Sequence, residues 1–186
     1  FESEVEALRE ALPPGLSHGI EVGLGTGRFA LALGIKEGIE PARGMREMAV
    51  ARGIEVMNAT AEHLPYKDLH FDFVMMVSCI SYLDDVQEAF REANRVLKHG
   101  GRIIVGSIEK DSPIGKAYEA RRQQSLFYRE ETFYLTEKLV ERLKKAGFRN
   151  FGFSQTLFQP LEKIQDVEQP RPGYGEGSGS IIKALK

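Results

Sequence analysis

One cysteine, Cys79, stands among 186 residues, so no internal disulfide can form and no zinc-type Cys spacing exists. A reducing compartment is therefore expected. The four histidines, His18, His63, His70 and His99, are scattered without a helical pair of ligand spacing, and no metal is expected. No apolar run reaches bilayer-spanning length, and the opening FESEVEALRE carries no basic-then-apolar signal. The expectation is a cytoplasmic protein with no membrane partner. A large excess of one charge over the other is lacking as well. A formal net charge of −2 gives no long-range attraction for a phosphate backbone, which argues against nucleic acid as a partner. No repeat of fixed period occurs. What is present is a chain near the globular average, 42% hydrophobic and 28% charged, and that excludes wholesale disorder. Its length suits one domain, 1–186, with a core that needs no staples.

Val5, Leu8 and Leu12 form one stripe of an N-terminal helix, which LPPG at 12–15 stops. HGIEV then reads as a strand, and RFALALG as a short helix, apolar almost all round and so expected to be buried against a sheet. EGIEP suits a second strand, GMREMAVARG a helix closed by Gly53, and IEVMNA a third strand. HFDFVMMVSCI is the longest β-rich apolar run and fits a central strand covered on both faces. After it the spacing turns helical, with Val86, Ala89, Phe90, Ala93, Val96 and Leu97 on one side. Asp84 or Asp85 can cap that helix and Gly100-Gly101 end it. The charged positions from Gln87 to Arg95 read as solvated surface. RIIVG follows as a fifth strand.

This alternation predicts an α/β fold, a doubly wound, mostly parallel sheet of about seven strands. Two segments break the rhythm: the aromatic and charged stretch 107–134, read as an insert, and the Pro/Gly-rich stretch from Gln159 to Ser180. Between them Thr136 is placed to cap a helix carrying Leu139, Val140 and Leu143, ended by Gly147. Phe151, Phe153 and Leu157 alternate along a strand, and SIIKALK makes the last one. A long loop joining consecutive strands predicts a C-terminal antiparallel hairpin.

The stretch from Gly19 to Pro41, GIEVGLGTGRFALALGIKEGIEP, sets three alternate glycines between apolar runs and ends on Glu-Pro. Two kinds of ligand sit over such turns. GTGRFA, Gly25 to Ala30, meets the loose dinucleotide fingerprint, which asks for an acid about 20 residues further on. Here Glu40 follows Gly25 by only fifteen. An NAD-dependent oxidoreductase is thus one alternative. In the other register EVGLGTG, Glu21 to Gly27, resembles the E/D-x-G-x-G-x-G turn of class I S-adenosylmethionine-dependent methyltransferases. The glycines let backbone N–H groups approach a ligand. An acid two residues before the first of them repels a pyrophosphate but suits this cofactor's cationic methionine portion.

The resemblance covers nearly the whole chain. GIEPARGMREMA looks like the family's second motif, which implies that Glu40 accepts hydrogen bonds from both ribose hydroxyls and that Met45 lies near the adenine. NATAEHLPY matches the loop after the third strand. There Thr60 stands where the family usually has an acid for the adenine amino group, and the Ala61 N–H can still reach the ring. FDFVMMVSCISYLDD matches the fourth strand and its exit, placing Val77 and Ser78 beside the ligand, and REANRVLKHGGRIIV matches the helix-turn-strand that ends the core. The pattern is most similar to the type 11 branch, related to quinone-biosynthesis methyltransferases. It implies a Rossmann-like fold with S-adenosylmethionine held by Glu21, Gly23, Gly25, Gly27, Glu40, Met45, Thr60, Ala61, Val77 and Ser78, and a small-molecule methyl acceptor. The departure at Thr60 leaves a non-catalytic cofactor-binding module as a second alternative. Similar enzymes cover the cofactor with the N-terminal helix and the insert, here 107–134. Its Tyr118, Phe127, Tyr128, Phe133 and Tyr134, with Tyr82 outside it, either shape an acceptor pocket or simply pack. Cys79 reads as a small core residue, and neither His63 nor Tyr82 is singled out as a base. No pattern assigns an oligomeric state.

Overall fold

The long apolar run becomes β4 (Phe71–Val77), buried along nearly its whole length because strands flank it and helices cover both faces. The computed structural model describes residues 1–15, 18–121 and 131–186. Parallel to β4 run β1 (Gly19–Val22), β2 (Glu37–Ile39), β3 (Glu55–Met57) and β5 (Leu97–Ile108). β6 (Arg149–Thr156), β7 (Arg171–Pro172) and β8 (Gly179–Leu185) complete one sheet in the order β3-β2-β1-β4-β5-β8-β6-β7. The expected antiparallel hairpin is there, with β8 slotted between β5 and β6 and antiparallel to both. The strand beyond the expected seven is β7, a two-residue edge piece on Ser154 and Gln155, too short to leave an alternating pattern in the sequence.

Alternation along the strands divides the core into two layers. Val74, Met76, Ile103, Val105, Ile182 and Ala184 meet the apolar stripes of α4 (Val86–Val96) and α6 (Thr136–Lys145). Phe73, Met75, Val77, Ile104 and Ile181 meet α1 (Glu2–Ala11), α2 (Arg28–Leu33) and α3 (Arg43–Ala51). The chain winds outward from β1 through β2 and β3, then returns to β4 and β5 on the other side. The carboxyl ends of β1 and β4 therefore border the crevice at which open α/β sheets bind ligands. Among the described residues no helix is long and apolar enough to cross a membrane.

Three local expectations are corrected. α2, apolar almost all round, was expected to be buried, yet only Ala30 is; a six-residue helix seats one face, and Leu31 is left 53% exposed. α4 ends at Val96 rather than at Gly100-Gly101, because Leu97 is already extended and pairs with Phe71. Its N-cap is as expected, Asp85 accepting the Glu88 N–H at 3.0 Å. Thr136 does not cap its own helix. Its hydroxyl bonds Glu109 and Ser180, and the Glu109 carboxylate accepts the Thr136 N–H, so a side chain from beyond β5 satisfies the orphan donor. Within 107–134, residues 107 and 108 still belong to β5, and Pro113–Arg121 forms α5. Phe133 is buried with the Tyr118 ring 6.1 Å away, and Tyr134 packs on the core. Phe127 and Tyr128 lie outside the described residues.

Candidate functional site

β1 ends in the glycine turn, and the turn is pinned to the end of β2: the N–H groups of Gly23 and Leu24 both donate to the Ile39 carbonyl, at 3.0 and 3.1 Å. Gly25 and Gly27 both have positive φ, +56° and +76°, a region that favours glycine, but their surroundings differ. A Cβ on Gly25 would meet only the Met45 sulfur, at 3.9 Å, and would stand in the cleft. A Cβ on Gly27 would press on Ile54 and Ala49, so this position serves the packing of α3 on the turn and does not line the cleft.

The cleft has a volume of about 560 Å³ over the ends of β1, β2 and β4. It brings together Glu21, Gly23, Gly25, Glu40, Met45, Thr60, Ala61, Val77 and Ser78, nine of the ten residues expected from the sequence, Gly27 being the exception. Glu40 is 6% exposed, and both of its oxygens are engaged: Oε2 accepts the Gly25 N–H at 2.9 Å and Oε1 the Ala42 N–H at 2.8 Å. Glu21 is 1% exposed and its Oε2 has no hydrogen-bond partner. Burial pushes its carboxyl up to about 8, and the Ala30 N–H, in the first turn of α2, draws it back only in part. Ser78, at the exit of β4, is a non-glycine residue at φ +59°, held there by its N–H to the Gly106 carbonyl at 2.8 Å. Backbone strain of this kind gathers at binding sites.

Beside Gly23, the Cys79 Sγ donates to the Val22 carbonyl at 3.1 Å, and burial pushes the thiol up, so it is an inert packing group as expected. Tyr82 lines the cleft and His63 does not. Sequence reasoning missed Arg28 and Phe29, which close one side: Arg28 lies 4.1 Å over the Phe1 ring, and the rings of Phe1 and Phe29 are 5.0 Å apart. The signal was present, since both directly follow the glycine turn, but α2 read as a buried helix. Among the described residues four acidic side chains, those of Glu21, Glu40, Glu62 and Asp84, line the cleft with one basic side chain, Arg28, so the acids outnumber the base even with Glu21 protonated. Such a lining favours a ligand with positive charge and disfavours a diphosphate. Among the described residues no group of three or more His, Cys, Asp or Glu is placed to hold a metal ion.

Known proteins share this fold. The type 11 methyltransferase-domain model matches residues 20–105. An S-adenosylmethionine-dependent methyltransferase of Thermotoga maritima, named a possible histamine N-methyltransferase, is 43% identical and superimposes with a TM-score of 0.96 over 99% of this chain and 88% of that one. An uncharacterized protein of Methanocaldococcus jannaschii is 41% identical over all of this chain and 89% of its own length. A ubiquinone/menaquinone biosynthesis C-methyltransferase of Vibrio vulnificus is 36% identical over 69 residues, 36% of this chain and 26% of that enzyme. The dinucleotide alternative therefore falls, and the chain belongs to the S-adenosylmethionine-dependent methyltransferases of the type 11 branch.

Proposed function

We propose that the protein methylates a small molecule bound at the outer end of the cleft, beside Tyr82, Leu83 and Asp84. The observation that carries the cofactor's placement is the buried, unpartnered Oε2 of Glu21 next to an open glycine turn. A cation that reaches it gains a charge-assisted hydrogen bond, and the orphaned acceptor is satisfied. In this reading Glu21 holds the ammonium of the methionine portion and Glu40 the ribose hydroxyls. A carboxylate has about four lone-pair sites, so Glu40 can keep both backbone donors while accepting the hydroxyls. Thr60 and Ala61 face the adenine, Met45 packs on the nucleoside, and Val77 and Ser78 border the transferred group.

When bound, the cofactor supplies a methyl carbon activated by a positive sulfur. The chain's own part is alignment and the exclusion of water, which suffices for an in-line displacement with a good nucleophile. The excess of carboxylates favours an acceptor that is an amine, in keeping with the name of the T. maritima relative. The V. vulnificus relative directs attention to quinol carbon as the next class.

The test is incubation with methyl-labelled cofactor and a cell extract, followed by a panel in which amines precede phenols and quinols. Label in the low-molecular-weight fraction is expected. Label confined to protein or nucleic acid would overturn the proposal, and so would turnover with none of these.

A further inference from the structure

The loop between β3 and β4 brings Thr60, Ala61 and Glu62 to the cleft without regular secondary structure of its own. Its shape is imposed from α4. Arg95, in the last turn of that helix, donates through Nη1 to the Tyr66 carbonyl and to Asp68 Oδ1, both at 2.8 Å, and through Nη2 to the Leu64 carbonyl at 3.0 Å. The same guanidinium forks onto Glu92, Nε to Oε1 at 2.6 Å and Nη2 to Oε2 at 2.8 Å. Glu92 Oε2 in turn accepts the Leu64 N–H at 2.8 Å. Leu64 is thus held at both its backbone groups by one ion pair. A further tie joins the loop to the start of α4, the Asp85 N–H donating to Glu62 Oε1 at 3.3 Å.

The solvated face expected from the sequence is, at these two positions, a clamp. An exposed ion pair contributes little, but here the Glu92 side chain is 15% exposed and the fork is fixed by backbone groups on either side. The Arg95 hydrogen bond holds Glu92 below the usual carboxylate range, and Glu92 and Asp68 push the guanidinium up, so the pair stays charged. Neither residue lines the cleft.

We infer that Arg95 and Glu92 are positioning residues for purine recognition: from α4 they fix the loop so that Thr60 and Ala61 can discriminate the base. The inference rests on the reading of Thr60 and Ala61 as the adenine contact.

Calorimetric titration with S-adenosylhomocysteine and S-inosylhomocysteine, which differ at the purine 6-position, tests both levels. The wild type should prefer the adenosyl ligand. Arg95→Ala should bind it about tenfold more weakly, the scale of a hydrogen bond to a charged group, and its preference over the inosyl ligand should shrink towards one. Arg95→Lys, which keeps the charge without the fork, should recover part of the preference. Glu40→Ala should weaken both ligands alike and leave the ratio unchanged. If folded Arg95→Ala melts lower but keeps the wild-type ratio, the pair is only structural and the inference fails. A wild type with no preference would overturn the adenine reading beneath it. Should Arg95→Ala not fold, Glu92→Gln, of the same shape, carries the test with the same expectation.

Discussion

Two neighbouring strands end close to a glutamate each, buried almost equally, and the two side chains are held in opposite ways. Glu40, one residue past β2, has both oxygens on backbone N–H groups before any ligand arrives. Glu21, one residue before the end of β1, has an oxygen with nothing to accept from. The tip of β2 is preorganised; the tip of β1 is left unsatisfied. The first side chain is held in place by two backbone donors, whereas the low-dielectric surroundings of the second favour the neutral acid. Site geometry and the cost of folding are thus separated between two residues of one type.

The largest effect should appear at Glu21, as a pH dependence of stability. Its folded pKa, about 8, lies above the ordinary 4.5, so between those values the unfolded chain has released a proton that the folded protein retains. Stability from this group is full below about 4.5, declines as pH rises, and is lost by about 8, a total on the order of 5 kcal/mol. Glu21→Gln, which cannot ionise, should remove this slope and melt higher than the wild type at pH 8 and above. Thermal melts of the two proteins from pH 5 to 9 measure the difference. Parallel curves would show that Glu21 ionises without penalty and that its burial does not set the slope. A bound cation at Glu21 favours the ionised acid, so cofactor binding to the wild type should release a proton below pH 8, and to Glu21→Gln it should not.

Next in size is Glu40. Glu40→Ala removes the proposed ribose acceptors and leaves the N–H groups of Gly25 and Ala42 without their partner, so the turn loses its pin as well as its ligand. Cofactor affinity should fall at least about tenfold, as expected for lost charge-assisted hydrogen bonds. Glu40→Gln keeps one acceptor oxygen and should fall between. Unchanged affinity in folded Glu40→Ala would mean that the carboxylate serves the turn alone.

The placement of both glutamates was legible in the sequence, because it rests on local chemistry, whereas the contrast between them was not. Strand alternation, alternate glycines and an acid before proline sit within a few residues of one another, and they placed Glu21 and Glu40 at the strand tips. What escaped depends on partners distant in the chain. Gly27 reads like Gly25 until Ala49 and Ile54 come to rest against it. Glu92 and Arg95, spaced i,i+3 on a polar helix face, look like surface until the loop at 64–68 folds beneath them. Thr136 looks like a cap until Glu109, 27 residues earlier, is brought to it. The position of β8 between β5 and β6 is likewise a long-range choice that no window of sequence displays.

A smaller effect should separate the two glycines of the turn. Gly27→Ala carries a strained φ into a packed contact, with a Cβ 2.5 Å from the Ile54 terminal methyl and 3.1 Å from Ala49, and should destabilise the fold by about 1–3 kcal/mol. It should affect binding only through that loss.

Gly25→Ala is the finest probe of the comparison, because Gly25 donates its N–H to Glu40. Its φ of +56° makes any L side chain strained, by roughly 1 kcal/mol, yet the nearest atom to the added methyl is the Met45 sulfur at 3.9 Å, so no core contact is disturbed. The methyl instead occupies space above the turn that the ligand needs. Affinity for S-adenosylhomocysteine should drop more than the small loss of thermal stability suggests. The pH dependence of stability should match the wild type, since the added methyl meets no atom of Glu21 within 4 Å. If Gly25→Ala flattens that slope too, the two strand tips are coupled through the turn, and Glu21 and Glu40 act as one unit.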